Sequence, residues 1–253
     1  FAEVMHTALS YFQAGRADAG YKLLKSSVLD GMYLGDSPGN FGQISFYDAA
    51  RGECYRDFGD PIGVASRVLI QGLFGILPDA LNQQIILRPG FPDDWDKASV
   101  STPDISYRFT RKEDTDTYHI TQRFQTPLHP VLHVNARKEK IRSVKVNGVP
   151  ATWQSIESAH GYPLLSIQAE GTSSTTITIE WEGAPLHTLA VQEPVITSNG
   201  KLALQIPSGA SISQVYDPQS VLANHTVEAT AFNAQIKGEP GHHTFFVYTH
   251  QGE

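Results

Sequence analysis

Near Pro78 the apolar residues of this sequence change their spacing from a helical repeat to strict alternation. A period of about 3.6 draws one buried stripe along a helix, and a period of 2 draws one buried face along a strand. The switch predicts an α+β chain: a helical segment over residues 1–80, an antiparallel β-sandwich over 81–183, and further strands over 184–253. The pattern pauses at Gly183-Ala184-Pro185. The last segment therefore either completes the same sandwich or forms a second small β unit.

In the helical part, Val4, Ala8, Leu9 and Phe12 share one face, and Ala14-Gly15-Arg16 makes a turn. Ala17, Tyr21, Leu24 and Val28 form a second stripe, interrupted by Gly20, which costs about 1 kcal/mol relative to Ala in a helix interior. A third helix is expected from Pro61, capped by Asp60, with Ile62, Ala65, Leu69, Leu73 and Ile76 on one face and Pro78 ending it. Val64, Val68 and Ile70 fill its other faces, which predicts burial on most sides. The hairpin has no second copy, whereas solenoids need about three repeats.

Beyond Gln83, Tyr118, Ile120 and Phe124 alternate with polar residues, as do Ile177, Ile179 and Trp181. Val144-Lys145-Val146 runs into Asn147-Gly148, a strong two-residue hairpin signal. Further strands are expected at 84–88, 104–110, 130–136, 164–169, 201–206, 211–216, 226–232 and 243–249.

Composition narrows the function. The 253 residues carry a net charge of −7 without a Lys/Arg-rich run, which argues against nucleic acid as the main partner. No apolar run reaches the roughly 20 residues of a membrane span. One cysteine, Cys54, excludes an internal disulfide and a Cys-based zinc site. His129 and His133 have the spacing of a helical zinc pair, but Pro130-Val131-Leu132 places them on a strand, about 13 Å apart. His242 and His243 are neighbours that would face opposite ways on a strand. No metal site is predicted. Trp95, Trp153 and Trp181 read as core anchors, with an exposed carbohydrate platform as the competing role. No G-x-S-x-G elbow or strand–GxGxxG–helix context is present, and no cofactor is expected.

The order of elements carries a resemblance. A helical hairpin and a long loop lead to a helix closing on Gly72-Leu73-Phe74-Gly75-Ile76-Leu77-Pro78-Asp79. Ile86-Leu87-Arg88-Pro89-Gly90-Phe91-Pro92-Asp93-Asp94-Trp95 follows, then Ser106-Tyr107-Arg108-Phe109, and later Ser143-Val144-Lys145-Val146-Asn147-Gly148. This resembles the C-terminal end of bacterial glycoside hydrolases with an (α/α)6 catalytic barrel followed by a β-sandwich, of the α-L-rhamnosidase-like kind. The resemblance spans residues 1–150 and is sharpest from Asp57 to Phe109. It implies the last hairpins of such a barrel, a carbohydrate partner, and a periplasmic or secreted enzyme acting on polysaccharide or oligosaccharide. It also implies little activity from this chain alone, since only three helices can be placed. A non-catalytic carbohydrate-binding or scaffold module is the alternative.

The chemistry concentrates in residues 31–60, a connection rich in Gly, Asp and aromatics. Structureless connections beyond about 12–15 residues are usually functional or disordered, and this one carries too many aromatics for disorder. Arg51-Gly52-Glu53-Cys54-Tyr55-Arg56-Asp57-Phe58-Gly59-Asp60 sets five charges among two aromatics. As a sugar site, Glu53 and Asp57 are the expected carboxyl pair of glycoside hydrolysis, with Arg51, Arg56, Tyr55, Tyr47 and Asp36 binding substrate. The competing assignment is a structural ion-pair knot in which Arg51 or Arg56 neutralises Asp57. Asp36-Ser37-Pro38-Gly39-Asn40 is equally good turn chemistry.

Overall fold

The computed structural model describes residues 2–34, 59–156, 161–186, 189, 194–207 and 209–252. Among them are three α-helices and sixteen mostly antiparallel strands, an α+β chain. By internal contacts the chain divides into two units. One comprises Phe1–Asn135, Arg142–His160 and Leu164–Glu180; the other comprises Ala136–Ile141, Gly161–Pro163 and Trp181–Glu253.

Helices α1 (Ala2–Gln13) and α2 (Ala17–Val28) form the expected hairpin. Gly15 closes α1 at φ +73°, and Arg16 N–H donates to the Tyr11 carbonyl while Gly15 N–H donates to that of Phe12. Those two bonds make a Schellman turn, which favours glycine at the left-handed position. The buried face of α1 is Ala2, Met5, Ala8, Leu9 and Phe12; Val4 is exposed, so the stripe is rotated towards Met5. In α2 the buried line is Gly20, Leu24 and Ser27, with Tyr21 and Val28 half-buried at its edges. Gly20 therefore sits at the centre of the packed face: a Cβ there would lie 3.0 Å from the ring of Phe12.

The third helix departs from expectation at both ends. α3 (Gly59–Arg67) begins two residues before the expected Pro61, so Asp60 lies within its first turn instead of at the N-cap position. The helix continues as a π-helical turn, Val68–Leu73, closed by Phe74 N–H on the Leu69 carbonyl. Ile76–Asp79 is then strand β1, not helix. Its inward residues are Val64, Ala65, Val68, Gly72 and Leu73, while Ile62 and Leu69 are exposed. The wider π turn shifts the phase of the apolar repeat, which is why the 3.6-residue extrapolation fails.

β1 pairs with β2 (Gln84–Leu87), and the close approach is made by backbone. Arg88 N–H donates to the Gly75 carbonyl and Gly90 N–H to that of Leu73. Gly75 has φ +64°, and a Cβ there would run into the Arg88 carbonyl. A Cβ at Gly72 would lie 2.7 Å from the Phe12 ring, and one at Gly90 would meet the same ring. Three glycines from three separate segments thus enclose one phenylalanine.

Two sheets occupy most of the first unit. A five-stranded sheet has the order β1-β2-β6-β10-β9, using β6 (His129–Asn135), β9 (Gln154–Ile156) and β10 (Leu164–Gln168). Its β2–β6 pair is parallel, a departure from the all-antiparallel expectation. β2 reaches β6 only after the chain has built strands of the other sheet, and so long a crossover leaves strand direction unconstrained by any hairpin. The six-stranded sheet runs β3-β4-β5-β11-β7-β8, with β3 (Lys97–Ser101), β4 (Ile105–Lys112), β5 (Thr115–Gln122), β7 (Lys138–Val146), β8 (Val149–Pro150) and β11 (Ser174–Pro185). The Asn-Gly hairpin forms as expected, with Asn147 and Gly148 both at positive φ.

One face of the six-stranded sheet buries Ile105, Tyr107, Phe109, Tyr118, Ile120, Ile177, Ile179 and Trp181. Phe91 stacks on Phe109 at 5.2 Å between centroids and on Tyr107 at 6.2 Å, and Phe74 meets Phe91 edge-on at 5.5 Å. The row continues through Trp95 to Tyr21 of α2, again edge-on at 5.0 Å. Trp95 and Trp153 are half-buried and Trp181 is buried in the core. Buried polar groups are tied locally. The Arg111 guanidinium binds Asp116 at 2.9 Å and the Asp93 carbonyl at 2.9 Å. Gln122 accepts from Leu128 N–H and donates to the Leu128 carbonyl, standing in for a strand partner.

The second unit holds two small sheets, β12-β15-β14 and β13-β16, where β12 is Lys201–Gln205, β13 Ala210–Tyr216, β14 Leu222–Val227, β15 Ala231–Ile236 and β16 Phe246–Gln251. Its core is Leu202, Ile212, Val221, Leu222, Phe232 and Ala234. The strand expected at 226–232 straddles a turn, where Glu228 N–H donates to the Ala231 carbonyl.

Gly90→Ala is expected to destabilise the protein by about 1–3 kcal/mol, because the enclosed ring cannot yield. Adding Phe12→Leu should recover part of that loss, a coupling read from a double-mutant cycle by urea unfolding. Tyr107 makes a second prediction: its buried hydroxyl has no hydrogen-bond partner among the described residues. Tyr107→Phe should raise stability by about 1 kcal/mol. Burial, with Tyr118 adding to it, holds the Tyr107 phenol well above its ordinary pKa. This group therefore leaves wild-type stability independent of pH below about pH 10 and lowers it as pH rises from there towards the higher folded value. Unfolding followed up to about pH 11 should show a smaller alkaline decline in Tyr107→Phe.

Candidate functional site

The residues expected to bind and cleave sugar, Asp36, Tyr47, Arg51, Glu53, Tyr55, Arg56 and Asp57, lie outside the described residues, as does Cys54. The elements that flank them are described. The chain leaves α2 through a π-helical turn, Leu29–Leu34, and returns at Gly59 into α3. Both helices on either side of the charged segment thus end in π-helical turns, a geometry enriched at functional sites.

Among the described residues, cationic and histidine side chains gather in two places. Arg88 follows β2 and is half-buried, and His133 lies on β6 near the Leu87–Leu132 register pair. Burial lowers the pKa of Arg88; burial and then the Arg88 charge lower that of His133. His133 is thereby held neutral under ordinary conditions. On the same strand, His129 Nδ1 accepts a hydrogen bond from Gly171 N–H at 3.1 Å. That nitrogen cannot also donate to Glu170, 3.6 Å away. Among the described residues, no group of three or more His, Cys, Asp or Glu side chains is placed to hold a metal ion.

The second gathering is on the outer face of the six-stranded sheet. Strand alternation that buries Tyr107 and Phe109 turns Ser106, Arg108 and Thr110 outward, and the antiparallel register aligns them with their neighbours. Ser99 stands opposite Arg108, Arg108 opposite His119, and His119 opposite Thr176. The adjacent row is Ser101, Ser106, Thr121 and Ser174. A concavity of about 340 Å³ opens over this face, lined by Ser99, Ser101, Ser106, Arg108, His119 and Thr121. On this face, His119 Nδ1 and the Thr176 hydroxyl are 2.9 Å apart, and the Ser101 and Ser106 hydroxyls are 2.9 Å apart. Arg123 Nη2 donates to the Ser106 hydroxyl at 2.9 Å and Nη1 to the Thr102 carbonyl at 3.3 Å.

Sequence reading missed this face because it followed only the apolar half of the alternation. The signal was present in Ser106-Tyr107-Arg108-Phe109 and in His119 between Tyr118 and Ile120: the outward residues are all polar and Arg108 is cationic.

No family model matches the chain, and no curated protein matches it. Among solved structures, the chain is similar to an α-L-rhamnosidase from Dictyoglumus thermophilum, with a TM-score of 0.34 and 16% identity over 66% of this chain. The match covers 21% of that enzyme's chain, so this protein spans about a fifth of its length.

Proposed function

We propose that this chain is the C-terminal portion of a carbohydrate-active enzyme, a glycoside hydrolase. In this reading residues 1–80 are the last hairpins of a six-hairpin helical barrel, and the strands from 81 to 183 form an antiparallel β-sandwich behind it. The observation that carries it is an apolar surface on the helices. Val4 and Tyr11 on α1, Leu29 and Tyr33 after α2, and Ile62 and Leu69 across α3 and its π turn are all exposed, each pair at a helical repeat. Such pairs of large apolar groups on α1, on the turn after α2 and on α3 with its π turn are what a helical assembly with further hairpins would cover. The sequence resemblance supplies the chemistry of such an assembly.

Glu53 and Asp57 are the proposed carboxyl pair, one protonating the leaving oxygen and the other acting as nucleophile or water-activating base. Arg51, Arg56, Tyr55, Tyr47 and Asp36 are the proposed substrate contacts. Export to the periplasm or medium belongs to the same reading, and cell fractionation tests it.

The full-length gene product, screened against aryl-glycosides and oligosaccharides, should show turnover that the 253-residue chain alone lacks. In that enzyme Glu53→Gln or Asp57→Asn should cut turnover by about 10²-fold or more with the thermal midpoint nearly unchanged. Unfolding by both amide variants, with turnover of the folded fraction intact, would establish the ion-pair knot instead. Saccharide binding without turnover by the full-length protein would establish the non-catalytic module.

A further inference from the structure

We propose that the outer face of the six-stranded sheet is a binding site for an acidic saccharide, with a uronate carboxylate on Arg108 and sugar hydroxyls on the flanking Ser and Thr rows. The proposal stands apart from the hydrolase reading, since it concerns only residues of β3, β4, β5 and β11 and Arg123 just after β5.

Charge selects the ligand class. The protein as a whole is at −7, yet the residues lining this concavity include Arg108 and His119 and no carboxylate. Arg123 is fixed at its edge by the Ser106 hydroxyl and the Thr102 carbonyl, and Lys97 stands on the same face at the register position of Thr110. Arg108 is exposed and forms no ion pair among the described residues. A planar guanidinium presented this way matches a carboxylate through two parallel hydrogen bonds. The nearest acid on β11, Glu180, is engaged by Lys145 at 3.3 Å.

The lining carries no exposed Phe, Tyr or Trp ring, the usual platform for a neutral sugar held by stacking. Tyr107, which also borders the concavity, turns its side chain into the core and is 1% exposed. What remains is a grid of hydroxyls in two adjacent cross-strand rows, spaced about 4.8 Å from strand to strand. The Ser101–Ser106 and His119–Thr176 contacts hold that grid in place before a ligand arrives. A hydroxyl grid around one cation suits a polyhydroxylated anion. Its apolar part is limited to the half-buried Val100, and it carries no exposed Phe, Tyr or Trp to anchor a protein or stack a row of bases.

The test is calorimetric titration of the 253-residue chain with tetragalacturonate and with a neutral galactose tetrasaccharide, at low salt and at about 0.15 M salt. Tetragalacturonate should bind and the neutral analogue should not, with affinity falling as salt rises. Arg108→Ala should weaken binding by about tenfold or more, and Arg108→Glu should abolish it. Ser106→Ala, which removes a hydroxyl from the grid, should weaken it less. Lys201→Ala, in the second unit, should leave it unchanged. Failure of tetragalacturonate to bind, equal binding of the neutral analogue, retained affinity in Arg108→Glu, or an equal loss in Lys201→Ala would each overturn the proposal. None of these outcomes bears on turnover by the full-length enzyme, so the two readings fail separately.

Discussion

The helical segment and the first sheet of this protein are joined through one aromatic ring. Phe12 projects from α1 into a space bounded by Gly20 of α2, Gly72 of the π-helical turn and Gly90 after β2. Each glycine is where a Cβ would collide with the ring, so the three segments approach one another as closely as backbone allows. Two hydrogen bonds, from Arg88 to Gly75 and from Gly90 to Leu73, lock that approach. Burying a phenylalanine so completely contributes about 1.5–3 kcal/mol by transfer alone. That is enough to offset the roughly 1 kcal/mol that Gly20 costs inside α2.

From this junction the aromatic row carries order into the larger sheet. Phe74 and Phe91 lie just outside the glycine contacts and stack towards Tyr107, Phe109 and Tyr118. Edge-on and offset rings at 5–6.5 Å are the preferred geometries for such groups. The inner face of the sheet is thereby filled with rings, and its outer face is left to hydroxyls and cations. The same alternation that builds the core therefore also builds the polar concavity.

The period change near Pro78 made the α+β order legible, and the Asn147-Gly148 turn was readable because both positions need positive φ. The third helix was legible only up to Arg67, since a π turn breaks the repeat on which extrapolation depends. Glu113 escaped notice for a related reason: it takes φ +52° in the β4–β5 turn, a conformation that nothing in a Glu side chain announces. The parallel β2–β6 pair was invisible because pairing partners far apart in sequence leave no local mark. As for sites, residues 31–60 drew attention by composition, while the outer face became visible only when register set Ser99, Arg108, His119 and Thr176 in one row.

That parallel pair has a consequence for the order in which the chain can mature. Gln84 aligns with His129, a separation of 129 − 84 = 45 residues, whereas β4 and β5 meet across the turn from Lys112 to Thr115. On a ribosome, the β4–β5 hairpin can close while β2 still has one bare edge, and that edge stays unpaired until His129–Asn135 has emerged. Until then β2 offers Ile85 and Leu87 beside open backbone groups, the kind of edge that recruits foreign strands. The glycine-enclosed ring packs on Gly90, just past the end of β2 at Leu87, and its enclosure is complete in sequence by that residue. It can dock β2 onto the helices early, sheltering the strand through the interval before its partner arrives.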